Sequence, residues 1–553
     1  MDRRTLLALA LSFIVIVIYT RFIHPPPRNT AAPDKREVAA VEVPTPVAPR
    51  RDVFPNTGPL PVALSEPKGK LSTVKTRTME VEFSSAGGCI SNLTLLKSSV
   101  IKKGPVRVIQ TLQPAFQLVA LRAGLGRGGD ADVEYLAEPG SGAAGTVEYR
   151  RDFGPVRVRK SYHVRDEGYV IDTETAITNN GRDRIVFDKG IEIGAGSVIA
   201  LTASEKGAHV GVDRLDAAGR ITRVGAGKAA KGARELKPAR WFALRNQFFA
   251  VILKPAEEAA GWSAREIITQ DGVSGIEGAL RTAPIAVNPG ESKVIRVSVY
   301  AGPKEYTALS TFGAAEIIDF GWFGFVGKWI LLGLNWLYRI CGNYGVAIIL
   351  LTVVIRAILY PLNQKSFRSM KEMQKLQPEI TAVQQKYKAD PKKSQAEMMK
   401  LYKEHGVNPM GGCLPLLIQM PILIAFFRVL QNAIELWGAP FCLWMTDLSE
   451  PDALFKFQTG RSAWPFIGRM VDGHGYVFLN VLPILMLAVF YIQQKMTPTA
   501  MAATPEQQQQ QKLMGAVMPL MFGVIFYNMP AGLNLYFAAS TLLGIIQQKY
   551  MIK

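Results

Sequence analysis

The sequence predicts a multi-domain membrane protein: six transmembrane α-helices, with an all-β domain between the first and the other five, and a helical hairpin between two of the later spans. Three observations carry this. Long uncharged apolar runs fall at the N-terminus and from residue 316 onward, whereas residues 24 to 310 have the mixed composition of a soluble domain. That middle region shows the period-two alternation of half-buried strands. The segments between the later apolar runs differ in charge, as loops on opposite sides of a membrane do.

The chain has 553 residues and a net charge of +19. No RNP-type, zinc-finger or helix-turn-helix pattern accompanies the basic balance, so direct nucleic-acid binding is not expected. Basic loops on one membrane face account for it instead. The four cysteines, Cys89, Cys341, Cys413 and Cys442, have no C-x-x-C spacing, which argues against a zinc centre, a redox pair and a disulfide framework. No metal or cofactor is expected. The phosphate-loop reading of "GAGKAAKGA" at 225 fails, because the glycine spacing and the Ser or Thr after the lysine are missing. We read that stretch as a surface loop.

Taken along the chain, residues 1–23 combine a basic start with an apolar run that no small-residue cleavage site follows. They read as an uncleaved N-terminal anchor, with Arg3 and Arg4 holding the terminus in the cytoplasm. The proline-rich stretch 24–67 is a linker. The β domain covers 68–310. Met79, Val81 and Phe83 share one strand face, as do Val156, Val158, Tyr162 and Val164, and Ile295, Val297 and Val299, with turns at "NNGRD" and "NPGES". Many strands without interleaved helices predict a β-sandwich.

In 316–342, Trp322, Trp329 and Trp336 are seven residues apart and predict an amphipathic interfacial helix. Five spans follow, near 343–362, 413–436, 476–494, 513–529 and 531–548. Residues 363 to 410 hold ten Lys or Arg against five Asp or Glu, whereas 437 to 475 carry Asp447, Glu450, Asp452 and Asp472 and fewer bases. The first loop is therefore cytoplasmic, the second and the β domain are outside, and both termini face the cytoplasm. Within the basic loop, Met373, Leu376, Ile380, Val383 and Tyr387 form an apolar helical stripe, Pro378 predicts a kink, and Ser394 with Glu397 predicts a capping box. The hairpin covers 366–408. "QQQQQ" at 507 is a polar connector.

Arg356 is the residue that composition does not explain. It lies about six residues, roughly 9 Å, from the cytoplasmic end of its span. A central arginine costs about 2.5–3.5 kcal/mol on insertion scales. No acidic residue lies deep in the five later spans, and Glu435 sits near the opposite end. Snorkelling and a water-filled cavity both remain open, and Thr352, Gln419, Asn534 and Ser540 are polar residues that could share such a cavity. Arg428 reads as snorkelling outward. No catalytic constellation can be assembled, so the chain does not read as an enzyme.

"NYGVAIILLTVVIRAILYPL", "MKEMQKLQPEI", "VNPMGGCLPLLIQMPILIAFF" and "PAGLNLYFAASTLLGIIQQ" closely resemble the YidC/oxidase-assembly/Alb family of membrane-protein insertases. The resemblance covers residues 316 to 550, and the N-terminal part is similar to the Gram-negative form with a periplasmic β-supersandwich. It implies a five-helix insertase core over 343–550, and a hydrophilic groove open to the cytoplasm and lipid but closed to the periplasm. Arg356 falls on the family's arginine position. Thr352, Gln419 and Tyr536 fall on groove or substrate-contact positions, and Glu404 lies in the hairpin the family requires. The implied role is a chaperone and insertase of the bacterial inner (cytoplasmic) membrane that receives nascent membrane proteins, alone or with the Sec translocon. The chain stops at "QQKYMIK", so ribosome contact would rest on the cytoplasmic loops. Arg428 stands where an uncharged residue is expected. Two other readings, a solute transporter and a sugar-binding β domain, lack an inverted repeat and a convergent acid pair respectively.

Overall fold

The computed structural model describes residues from 61 to 552, apart from 63–68, 110–117, 123–129, 139–144, 201–208, 408–413, 459–475, 497–520 and gaps of one to three residues. The expected N-terminal anchor, most of the linker, Cys413 and the glutamine run lie outside the described residues. The chain divides into two units. One contains the strands up to Leu96 and Val106–Gly302, and the other contains Lys97–Pro105 and the chain from Pro303 on.

The first unit is the expected β domain. Its nine-stranded antiparallel sheet runs in the order Ile221–Gly225, Gly211–Leu215, Trp241–Arg245, Phe249–Pro255, Ser292–Pro303, Val170–Asn179, Val156–Val164, Thr146–Phe153, Leu136–Ala137. A six-stranded sheet built on Gly261–Thr269, Ser274–Arg281 and Glu192–Ile199 faces it. Phe242 stacks on Trp262 between them, with ring centroids 5.7 Å apart. A Cβ on Gly278 would come within 2.9 Å of Phe242, so the sheets approach closely only because that position is glycine. A four-stranded sheet, Leu71–Lys75, Met79–Ser84, Cys89–Leu95 and Val106–Ile109, packs on the larger one through Phe83 and Tyr162 at 5.1 Å.

Two expectations need correction here. Pro61–Val62, assigned to the linker, pair in parallel with Ile268–Thr269; a proline is tolerated on such an edge because it need not donate there. The stretch read as a surface loop at 225 opens with a one-turn helix, Ala226–Ala229, whose two alanines are buried. Small apolar side chains let that turn sit against the sheet.

Alternation also carries a charge inward. Val156–Val164 buries every second residue, and the middle one is Lys160. Its Nζ lies 2.6 Å from Asp130 Oδ2, with both side chains almost fully buried, and donates to the carbonyls of Gly87 at 2.6 Å and Val119 at 3.2 Å. Tyr135 Oη donates to Asp130 Oδ2 and Leu121 N to Oδ1, both at 2.7 Å. A buried pair satisfied on every side is tolerated, but removal of one partner is costly. Asp130→Ala is expected to destabilise the β unit by about 3–5 kcal/mol. Lys160→Met combined with Asp130→Leu should recover most of that loss. Urea-dependent pulse proteolysis of the full chain, following cleavage within the β unit, measures both.

The second unit is helical. Its helices are α1 (Gly324–Cys341), α2 (Tyr344–Ile358), α3 (Tyr360–Lys375), α4 (Gln377–Lys386), α5 (Pro391–Glu404), α6 (Leu414–Asn432), α7 (Val481–Met496) and α8 (Ala531–Ile552). Among the described residues no single helix is long and apolar enough to cross a membrane. Tyr344–Ile358 and Tyr360–Met373 meet that condition together, across a 57° bend, and Val481–Met496 is a shorter apolar helix. The bend falls at Leu359 because Pro361 has no N–H to donate to the Ala357 carbonyl and its ring crowds that position, which breaks the helical ladder there.

The expected spans are adjusted accordingly. The run 343–362 is broken at 359, and 413–436 ends as helix at Asn432 before the 3₁₀ turn Ile434–Leu436. The run 476–494 begins as the strand Tyr476–Asn480, paired with Ala453–Gln458, before α7. Of 513–529, residues 521–526 are helical. In 316–342 the helix starts only at Gly324, after a turn that Gly321 makes at φ +72°. α1 buries Ile330, Leu331, Leu334 and Leu337 and exposes Phe325, Trp329 and Trp336, whereas Trp322, also exposed, lies in the turn before the helix.

In the hairpin segment, Met373, Leu376 and Ile380 of the apolar stripe pack with Val407 into a small cluster. Its caps differ from expectation. Asp390, not Ser394, is the N-cap of α5 and accepts from Lys393 N at 3.1 Å, with Pro391 in the first turn; Ser394 is buried inside the helix. The helical run breaks at Leu376, and Pro378 takes the first turn of α4, as its fixed φ and missing N–H favour.

At the other end of the bundle the segment 433–452 meets the helix ends. Asn343 caps α2, accepting from Gly345 N at 2.8 Å and Val346 N at 3.2 Å, and donates Nδ2 to Phe441 O. Leu482 N at the start of α7 donates to Asp452 Oδ2 at 2.6 Å. Ala531 N and Gly532 N at the start of α8 donate to Glu450 O and Leu448 O at 2.7 and 2.8 Å. The N-termini of α7 and α8, with their unpaired N–H groups, are thus satisfied by one stretch of chain, which also holds the Asn343 cap of α2.

Candidate functional site

The candidate site lies on the facing sides of α2, α6 and α8. The helical period puts Thr352 and Arg356 one turn apart on α2. Thr352 is buried and donates Oγ1 to Ile348 O at 2.6 Å, so its hydroxyl serves its own helix. Arg356 is half-buried and crosses to α8, where Nη2 donates to Ser540 O at 2.7 Å and to Ser540 Oγ at 3.0 Å. Its Nε is buried without a hydrogen-bond partner among the described residues. The guanidinium fits because α8 has Gly544 one turn beyond Ser540. A Cβ there would lie 3.2 Å from Nη2 and 3.3 Å from Nη1.

Tyr536 lies one turn before Ser540 on the same face of α8. Its ring stacks on Phe426 of α6, with centroids 4.0 Å apart and planes 16° from parallel. Its hydroxyl interacts with Gln419 and Ser540. Arg356, Ser540, Tyr536 and Gln419 therefore form one connected polar set between otherwise apolar helices. No carboxylate among the described residues forms an ion pair with Arg356.

The other residues singled out in the sequence lie elsewhere. Asn534 is fully buried, and its Nδ2 donates to Phe526 O at 3.1 Å and Met529 O at 3.3 Å, closing the turn that leads into α8. Glu404 is exposed at the end of α5 in the separate hairpin. Arg428, nine residues beyond Gln419 and about 13 Å along α6, lines a small recess with Lys304, Phe320, Leu331 and Glu435. Sequence reasoning missed Gly544 and Phe426. Only the four-residue spacing of Gly544 from Ser540 hinted that a bulky group needed room there.

Two family profiles match the chain: "60Kd inner membrane protein" over residues 336–553 and "YidC periplasmic domain" over residues 71–332. A protein of Syntrophobacter fumaroxidans named "Membrane protein insertase YidC" is 37% identical over 417 residues, covering 72% of this chain and 69% of its own. A Geobacter metallireducens protein of the same name is 31% identical over 580 residues, covering 100% of this chain and 98% of its own. A solved structure described as "Active YidC insertase crystal structure with the first transmembrane domain resolved" aligns over 97% of both chains, at 21% identity and a TM-score of 0.36. Because relatives at this identity match it from end to end, the chain belongs to the YidC family.

Proposed function

We propose that the chain is a non-enzymatic insertase and chaperone for inner-membrane proteins, and that Arg356 lies in a hydrated groove that receives the polar flank of an incoming segment. The observation that carries this reading is the connected set Arg356–Ser540–Tyr536–Gln419, which holds a permanent charge between apolar helices without a carboxylate to neutralise it. Such a charge is tolerated when water or backbone dipoles solvate it. A segment entering the bilayer carries its polar flank across a shorter apolar path when that flank can stay solvated beside the guanidinium. An acidic flank gains a direct attraction as well. Release into lipid is driven by burial of the segment's apolar surface, so no nucleotide is required.

The rest of the chain is read to match. An anchor at 1–23, the linker 24–67 and the periplasmic β domain precede a five-helix core. The hairpin lies in the cytoplasm with both termini, and α1 lies in the outer interface with its tryptophans in the headgroup region. Nascent membrane proteins are the clients, the Sec translocon is a partner, and the basic loops are the surface for ribosome contact.

Arg356→Ala is expected to raise the insertion barrier for small clients with acidic translocated tails by about 2 kcal/mol, roughly thirtyfold in rate. Arg356→Lys should keep most activity because the charge is what acts. Depletion–complementation with protease-protection of a reporter tail measures both, and full activity of the alanine variant refutes the reading. Gly544→Leu places a side chain where the guanidinium lies and should come within about threefold of the Arg356→Ala defect, while Gly544→Ala should be mild. If α1 lies in the interface, lipids brominated near the glycerol should quench tryptophan emission more strongly than lipids brominated at the chain ends.

A further inference from the structure

The helical unit contains one stretch of chain that does not come from its own part of the sequence. Lys97–Pro105 connects two strands of the β domain but belongs by its contacts to the helical unit. Ile101 of this stretch is fully buried. Lys102 Nζ donates to Glu435 O at 2.7 Å and sits over the rings of Tyr344 at 4.4 Å and Tyr338 at 5.5 Å. Those two rings stack with centroids 3.9 Å apart, so the ammonium meets an aromatic pair contributed by α1 and α2. Lys103 Nζ lies 2.7 Å from Asp447 Oδ2, donates to Glu450 Oε1 at 2.5 Å, and stands 5.4 Å from the Trp437 ring. Gly438 makes the approach possible: at φ +67° it carries no Cβ, and a Cβ there would lie 2.8 Å from Lys103 Cγ.

Apart from the Tyr338 and Tyr344 rings, these contacts fall on the segment 433–452, which meets the Asn343 cap of α2 and the starts of α7 and α8. Glu450 is the clearest junction, since its carboxylate takes Lys103 and its carbonyl takes the Ala531 N–H of α8. Glu435 is another, because its carbonyl takes Lys102 and its carboxylate accepts from Asn335 of α1. The Lys103 ammonium bridges the carboxylates of Asp447 and Glu450, so its removal takes away the cation that they share. Burial pushes the Lys102 amine down to about 8, and Glu435 and Asp447 act against that shift, so its charge depends on these partners.

We propose that Lys102 and Lys103 are positioning residues that hold the segment 433–452 against the helix N-termini and so keep that end of the core shut. The functional consequence, a core sealed on the side away from the hairpin, rests on the insertase reading; the positioning itself does not, and it is tested without an insertion assay. Both lysines act as cations on carbonyls, carboxylates and aromatic faces. Charge is therefore the property at stake, and aliphatic packing is not.

Hydrogen exchange of the full-length protein in lipid nanodiscs, read by mass spectrometry, tests this. In the Lys102→Gln, Lys103→Gln double variant, peptides covering 438–452 and 531–533 should exchange about tenfold faster, as expected when partly exposed charge pairs holding an opening segment are lost. Peptides from 377–404 should exchange at the wild-type rate. Lys103→Arg should behave as wild type, and Asp447→Lys combined with Lys103→Glu should restore slow exchange relative to Lys103→Glu alone. Unchanged exchange in the double variant overturns the proposal, as does an arginine variant as fast as the glutamine one. Should the double variant lose protection in the hairpin as well, the wild type supplies the decision. Raising salt from low ionic strength to about 1 M screens the exposed side of the Lys103 pairs. It must speed exchange at 438–452 more than at 377–404, and equal rates at both salts refute the idea.

Discussion

A guanidinium cannot lose its charge at any accessible pH, and in α2 it stands among apolar residues. The arrangement of α2, α6 and α8 follows from that constraint. α8 offers Arg356 a serine carbonyl and hydroxyl, and Gly544 leaves the space the planar group occupies. α6 and α8 then set Gln419 and Tyr536 beside the serine. A carboxylate in the same place would neutralise the charge and make it inert. Hydrogen bonds to a carbonyl and a hydroxyl satisfy part of the group and leave its charge in place.

The β domain meets the same problem in a different solvent and solves it in the opposite way. Lys160 is buried with two carbonyls and the carboxylate of Asp130, itself bound by Tyr135, around it. Every polar atom of the ammonium is accounted for within the fold, so the cluster reads as a device for specifying a unique core. The two units thus hold a cation in opposite ways: Lys160 against a carboxylate, and Arg356 against a carbonyl and a hydroxyl. The same comparison explains why Lys102 and Lys103 attract notice: they bind junctions between helix ends and not the centre of a core.

Much of this was legible beforehand. The alternation of Met79, Val81 and Phe83 and of Val156 to Val164 announced the strands, because one face of each must be apolar. The stripe from Met373 to Tyr387 announced the hairpin for the same reason at a different period. Arg356 stood out because a charge is rare where everything around it is apolar. The errors have physical causes as well. Asp390 outcompeted Ser394 as a cap because Pro391 fixes the first helical residue beside it. The amide of Asn534, a polar residue conspicuous in its apolar run, closes the turn into α8, a contact that no linear pattern announces.

The amino-acid sequence alone determined the period of each element, the order of a β domain followed by helices, the sign of each loop and the presence of a charge without a nearby acid. These are properties of adjacent residues, and hydrophobic patterning encodes them locally. Only the tertiary structure decided that Arg356 meets Ser540 across 184 positions, that Lys160 meets Asp130, and that a nine-residue stretch leaving the β strands joins the helical unit. Those pairings depend on where helices and sheets pack. Packing is settled by the fit of many side chains at once, which no window along the chain contains.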